Sequence, residues 1–123
     1  MAYLWIAFGA VVGASARYFL SGYVAKSIGS SFPYGTLLIN VSGSLLLGFF
    51  LVLTSERVLM DVRWRLLIAI GFCGSYTTFS SYAFETFALF EQGQWRLVAW
   101  NVIASNLFCL ASVLVGAALA RWL

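Results

Sequence analysis

Apolar residues form four long runs along the chain, and most charged residues lie between the runs. The uncharged stretches cover residues 1–16, 27–55, 66–84 and 97–120. A helix that crosses a bilayer needs about 20 apolar residues, within a range of about 17 to 25. The pattern therefore predicts an all-α membrane protein with a single four-helix transmembrane domain over residues 1–123. We expect the helices near residues 3–24, 34–54, 65–90 and 95–122.

Composition supports this prediction and excludes several classes of function. Hydrophobic residues make up 63% of the chain and charged residues 9%, against about 25% charged residues in soluble domains. The chain has no histidine, and Cys73 and Cys109 both fall in predicted spans, so neither a metal cluster nor a redox pair is expected. It also lacks a nucleotide-binding loop and a Ser-His-Asp set. We expect no enzyme and no nucleic-acid partner; transport or a structural role in the lipid membrane remains.

The basic residues give a weak signal for orientation in the membrane. With four spans, both chain ends and the second link lie on one side, which collects Arg57, Arg63, Arg65 and Arg121. The other side has Lys26 and Arg96, and also Arg17 if it reaches outward. Because Lys and Arg bias sets orientation, this small difference predicts that the chain inserts both ways up. A single topology with a weak bias is the alternative.

Two polar side chains in the first two predicted spans are candidates for an ion path, because polar groups inside a bilayer usually face a bundle interior or water. Arg17 is either a snorkelling arginine near the interface or a cation at the mouth of an anion path. Asn40 offers an amide deep in the membrane. It forms either an ordinary hydrogen bond between helices or a contact to a permeating ion.

The third predicted span contains residues that weaken a helix. Gly71 and Gly74 have low helix propensity, and the hydroxyls of Ser75, Thr77 and Thr78 compete for backbone groups. We therefore predict that this helix is broken near its middle. A break in lipid is tolerated only where protein buries it or where it lines a cavity, and in transporters such breaks form ion sites. A packing seam rich in hydroxyls is the alternative.

Three further residues of the same span carry possible chemistry. Phe79 and Tyr82 are three positions apart and share a helix face, and the positive edges of their rings can contact a small anion. Aromatic residues at this spacing also occur as simple core. Glu85 is the single acidic residue within a predicted span. It is either a charge at the helix end or the partner of a cation at a vestibule.

Three segments together resemble the Fluc fluoride channels, also called CrcB. They are GAVVGASARYFLS, PYGTLLINVSGSLLLG and GFCGSYTTFSSYAFE, in this order on short spans. The resemblance implies a passive fluoride exporter of microbial cytoplasmic membranes. It also implies a dual-topology homodimer, in which two antiparallel subunits form two pores. A structural sodium ion at the dimer centre would be held by backbone carbonyls, here those of Gly74 and Thr77.

The resemblance also implies roles for individual side chains. Asn40, Phe79 and Tyr82 match the positions that line the fluoride path, and Arg17 matches a vestibule arginine. Tyr82 departs from the usual phenylalanine, and Ser75 stands where a second glycine is common. Because fluoride enters only if donors replace its water, we expect hydroxyl donors as well. The candidates are Ser80, Ser81 and Ser105.

Three other functions remain as alternatives. A proton-coupled exporter would need an acidic group in its path, for which Glu85 is the candidate. A small multidrug exporter also has four short helices, but it relies on an acid in its first helix, where this chain has Arg17 and no acid. A membrane scaffold that transports nothing would account for the small-residue seams without any pore.

Overall fold

The computed structural model describes residues 1–123, and all of its regular structure is helical. We label α1 (Ala2–Ile28), α2 (Tyr34–Val52), α3 (residues 62–76), α4 (Phe79–Glu91) and α5 (Trp95–Trp122). Helix α2 continues into π-helical turns over Leu53–Arg57, and α3 contains a π-helical stretch over Arg65–Cys73. Three segments are long and apolar enough to cross a membrane, namely Ala2–Ile28, Tyr34–Arg57 and Trp95–Trp122. The predicted all-α fold is confirmed.

The first helix is longer than the sequence pattern suggested. It continues past residue 24, through Lys26, to Ile28. Neither Lys26 nor Ser27 prevents helical geometry, so the helix continues beyond the end of the apolar run. Gly29 has a φ of 97°, and this left-handed conformation ends the helix at little cost only because glycine lacks a Cβ.

Helices pack in two close pairs, α1 along α3 and α2 along α5. Glycines lie at both contacts. A Cβ on Gly13 would collide with the backbone of Phe72, and a Cβ on Gly48 would lie 2.6 Å from the carbonyl oxygen of Val113. Helices in lipid gain little free energy by burying apolar surface against each other. Close backbone approach of this kind is therefore a main source of packing energy.

Large apolar side chains cover the outside of the bundle. Only 18 of 123 residues are buried. Trp100, Leu107 and Leu114 are 63%, 60% and 71% exposed. An apolar surface of this extent is suited to hydrocarbon or to another protein surface and not to water. Together with the spanning helices, it identifies a multi-pass membrane protein.

Arginine contacts tie the end of α2 to the end of α5. Arg121 donates two hydrogen bonds to the carboxylate of Glu56, at 2.9 and 3.0 Å. Arg57 donates to the backbone carbonyl of Arg121. The two charged ends therefore meet on one side of the bundle, as the predicted topology requires for the second link and the C-terminus.

Candidate functional site

The backbone between α3 and α4 leaves the helical conformation for two residues. Thr77 has φ −79° and ψ 156°, and Thr78 has φ −150° and ψ 119°. The Thr78 hydroxyl accepts a hydrogen bond from the backbone N–H of Ser81 at 3.2 Å, and it thereby caps the start of α4. Gly71 and Gly74, the two glycines among the residues expected to weaken this helix, are themselves helical. Thr77 and Thr78 belong to the same set. The interruption lies at the threonines.

The side chain of Asn40, on α2, forms hydrogen bonds with the backbone at this interruption. Its Nδ2 donates to the carbonyl oxygen of Thr78 at 3.0 Å, and its Oδ1 accepts from the Thr78 N–H at 2.8 Å. In a continuous helix that N–H would donate to the carbonyl of Gly74. The Asn40 oxygen thus replaces the helical acceptor of the Thr78 N–H, and the Nδ2 of the same amide adds a donor to the Thr78 carbonyl. One of the two Asn40 N–H groups stays uncommitted.

Arg17 lies against the end of α3. Its Nε donates to the carbonyl oxygen of Ser75 at 3.0 Å, and its guanidinium forms no ion pair. The last carbonyls of a helix lack partners and carry partial negative charge, so a cation there is stabilising. Arg17 therefore points into the bundle at the interruption.

A cleft of about 310 Å³ opens on one side of the interruption. We call it the aromatic cleft. It brings together four of the predicted path residues with two others: Asn40, Phe79, Tyr82 and Ser105, with Thr77 and Asn106. The ring centroids of Phe79 and Tyr82 are 5.4 Å apart, and the ring planes are tilted by 58°. Phe79 is 78% exposed, so the cleft opens to the outside of the single chain.

A second cleft, of about 350 Å³, lies on the other side of the interruption. We call it the arginine cleft. Arg17, Ser81 and Glu85 line it, together with Thr36. Thr78 lines both clefts, so they adjoin at the residue that Asn40 holds. Every predicted path or vestibule residue except Ser80 therefore lines one of two clefts that adjoin at Thr78.

Glu85 lies half-buried in the arginine cleft. Its Oε1 accepts a hydrogen bond from the Thr36 hydroxyl at 2.8 Å, and its Oε2 is buried without a partner. No cation pairs with it. A further cleft of about 290 Å³, between the α1–α2 and α4–α5 turns, also reaches Thr36 and Glu85. The polar surface thus extends from the turn end of the bundle toward Arg17.

A chain of hydrogen bonds behind the aromatic cleft fixes the direction of one predicted donor. Ser105 donates to Asn101 at 3.3 Å, Asn101 donates to the Thr86 hydroxyl at 2.8 Å, and Thr86 donates to the Tyr82 carbonyl at 2.7 Å. A carbonyl can only accept, so every bond in the chain has this direction. The Ser105 proton is therefore turned toward Asn101 and away from the cleft.

The remaining predicted residues lie apart from these groups. Ser80 is exposed and lines neither cleft, and its hydroxyl lies 3.4 Å from that of Thr78. Gly74 is exposed, and Thr77 lies at the rim of the aromatic cleft.

Sequence reasoning did not assign Thr86 and Asn106 to the site. Asn101 and Ser105 are four residues apart and therefore share a helix face, but no sequence signal identifies Thr86, whose partner Asn101 is on another helix.

Comparisons with a family model and with individual proteins identify the same family. The family described as "CrcB-like protein, Camphor Resistance (CrcB)" matches residues 4–117. A "Fluoride-specific ion channel FluC" from Koribacter versatilis is 63% identical over 119 residues, which cover 97% of this chain and 94% of the relative. Proteins of the same name from Rhodospirillum rubrum and a Sulfurihydrogenibium species are 47% and 43% identical, and each alignment covers at least nine-tenths of both chains. The chain therefore belongs to the CrcB family.

Proposed function

We propose that this protein is a fluoride-selective passive ion channel, which exports cytoplasmic fluoride and so lowers its toxicity. The observation that carries the proposal is the pair of donor-lined clefts that meet at Thr78. The relatives' name, "Fluoride-specific ion channel FluC", supplies the identity of the ion. The helical spans and the family resemblance support a place in the cytoplasmic membrane of a microbe.

The chemistry of the clefts suits a small, strongly hydrated anion. Such an ion enters only where donors replace its water. The free N–H of Asn40 and the ring edge of Phe79 are donors of this kind in the aromatic cleft. Arg17 and the Ser81 hydroxyl take the same role in the arginine cleft. Because no full charge lines the aromatic cleft, an ion bound there is also able to leave.

We propose that two chains assemble as an antiparallel homodimer with two pores. The aromatic cleft is open on its outer side, where Phe79 is 78% exposed, so a second chain would close it. The small difference in basic residues between the two sides supports insertion in both orientations. Each pore would then be lined by residues of both subunits.

A structural sodium ion at the dimer centre fits the residues present. Sodium binds to oxygen ligands, and unwound backbone carbonyls supply them in other transporters. Since the Thr78 N–H donates to Asn40, the carbonyl of Gly74 has lost the partner that a continuous helix provides. Thr77 has extended backbone geometry beside it. The carbonyls of Gly74 and Thr77 would hold the ion, which would join the two subunits.

Fluoride efflux from liposomes tests the proposed function. The purified protein is reconstituted into vesicles loaded with potassium fluoride, and an electrode records release after a potassium ionophore is added. We expect rapid fluoride release, and retention of chloride in matched vesicles. A membrane scaffold would release neither ion. Folded protein that retains fluoride in the vesicles would exclude the channel.

The antiparallel arrangement predicts two orientations in one membrane. A cysteine introduced by Ser30→Cys lies in the exposed α1–α2 turn. In cells, a membrane-impermeant maleimide should label about half of the chains before lysis and the rest after it. The protein without this substitution is the control, because Cys73 is buried and Cys109 half-buried. Labelling of all chains, or of none, before lysis would show one fixed orientation.

Glu85→Gln separates a passive channel from a proton-coupled exporter. The substitution keeps the shape and the acceptor oxygen for Thr36, but it removes the proton-binding carboxylate. We expect fluoride flux that does not follow an imposed pH gradient in either the wild-type protein or the variant. Flux that follows the pH gradient in the wild-type protein and loses this coupling in Glu85→Gln would favour the exporter.

A further inference from the structure

Tyr82 in the aromatic cleft has a hydroxyl partner on the neighbouring helix. Asn106 of α5 donates from its Nδ2 to the Tyr82 hydroxyl oxygen at 3.3 Å, a long N–H···O bond. The same Nδ2 donates to the backbone carbonyl of Val102 at 2.8 Å. Both Tyr82 and Asn106 line the cleft. The chain therefore has, within the cleft, a phenol and an amide that contacts it.

The carbonyl of Val102 fixes which atom of Asn106 faces Tyr82. If the amide were flipped, its oxygen would lie 2.8 Å from the Val102 carbonyl, and two acceptors would repel each other. The NH₂ group therefore faces both partners and gives one hydrogen to each. The Tyr82 oxygen accepts, so its own proton is not used in this contact.

Among the predicted path residues, few supply a free donor to the aromatic cleft. The Ser105 proton goes to Asn101, and Phe79 has only its ring edge. Asn40 has one free N–H, because the other donates to Thr78. The Tyr82 hydroxyl adds a second uncommitted proton, and the Asn106 contact strengthens it, since a hydroxyl that accepts a hydrogen bond donates more strongly.

We infer that Asn106 is a positioning residue, which holds the Tyr82 hydroxyl as an acceptor and thereby directs its proton to an anion in the aromatic cleft. The inference rests on the proposed function and names a specificity element within it. An O–H donor favours the anion that accepts hydrogen bonds most strongly, which among the halides is fluoride.

A double-mutant cycle tests the pair. Tyr82→Phe removes the hydroxyl, and Asn106→Leu removes the amide at similar volume. We expect each substitution to lower the initial rate of fluoride efflux from liposomes about tenfold, the effect of losing a hydrogen bond to an ion. We also expect each substitution to lower the ratio of the fluoride efflux rate to the chloride efflux rate. In the Tyr82→Phe background, Asn106→Leu should have no further effect on either quantity.

Controls separate this result from a structural effect. Ser112→Ala removes a half-buried hydroxyl from the same helix, outside the aromatic cleft, and it should leave efflux unchanged. Size-exclusion chromatography checks that each variant is folded, and Asn106→Ala replaces Asn106→Leu if the larger side chain disturbs packing.

Each outcome of the cycle bears on the inference. A loss from Asn106→Leu that is equally large in both backgrounds would show that Asn106 acts without Tyr82, and the inference would fail. Wild-type efflux in both single variants would also overturn it, while the proposed channel function would stand. A wild-type protein that passes no fluoride would overturn both.

Discussion

We expect fluoride efflux to fall by at least about a hundredfold, or about 3 kcal/mol, when Asn40 is replaced by aspartate. One carboxylate oxygen still accepts from the Thr78 N–H. The other replaces the Nδ2 that now donates to the Thr78 carbonyl at 3.0 Å, and two acceptors there repel each other. The ionised carboxylate also repels an anion in the aromatic cleft. Both effects act at the point where the two clefts meet.

The measurement is liposome efflux, with Asn40→Leu as the comparison. The leucine variant loses the pairing with Thr78 but adds no charge, so a larger loss in Asn40→Asp isolates the effect of the negative charge. Both variants should elute from a size-exclusion column at the wild-type position. Efflux close to the wild-type rate in Asn40→Asp would remove Asn40 from the ion path.

Gly13→Ala is expected to have the largest effect on stability. A Cβ at this position meets the backbone of Phe72, which cannot move aside by changing a rotamer. Overpacking of this kind costs roughly 1–3 kcal/mol. We expect a melting temperature several degrees lower for the protein in detergent, because the contact between α1 and α3 must widen.

Gly22→Ala is the matched control on the same helix. A Cβ at Gly22 meets nothing within 4 Å, and alanine is the better helix former by about 1 kcal/mol. The control should therefore melt at the wild-type temperature or above it. Equal losses of stability in the two variants would mean that glycine flexibility, and not close approach of the helices, stabilises α1.

Much of the fold could be predicted because it depends on local composition. Long apolar runs separated by charges specify helical spans, and the structure has helices in each run. The sequence pattern placed the end of α1 near residue 24, whereas the helix continues to Ile28 and ends at Gly29, the first residue with a left-handed backbone. Such boundaries depend on single dihedral angles.

The exact position of the interruption could not be predicted from local sequence. Glycines and hydroxyl residues together marked residues 71–78, and within this range Gly71 and Gly74 stay helical while Thr77 and Thr78 are extended. The difference comes from Asn40, which is 38 residues away in the chain and bonds to both backbone groups of Thr78. A contact between distant residues decides which peptide leaves the helix. Helix propensity contains no information about it.

The candidate site, like the fold, could be predicted only in part from the sequence. Residue types and spacing identified Asn40, Phe79 and Tyr82 as polar or aromatic groups within spans, and these residues share one cleft. The sequence could not predict which group donates and which accepts in each hydrogen bond. Ser105 is an acceptable donor by type, but its proton is committed through Asn101 and Thr86 to a backbone carbonyl. Only the full set of partners shows which protons remain free.

The position of Thr78 between the clefts also bears on how fast an ion crosses. The backbone there is already extended, and side-chain hydrogen bonds from Asn40 keep it in place. An ion that passes from one cleft to the other would therefore meet a backbone that is already in place, and no helical turn would have to unwind. Local unwinding is slower than side-chain motion, so it would not limit the rate of passage.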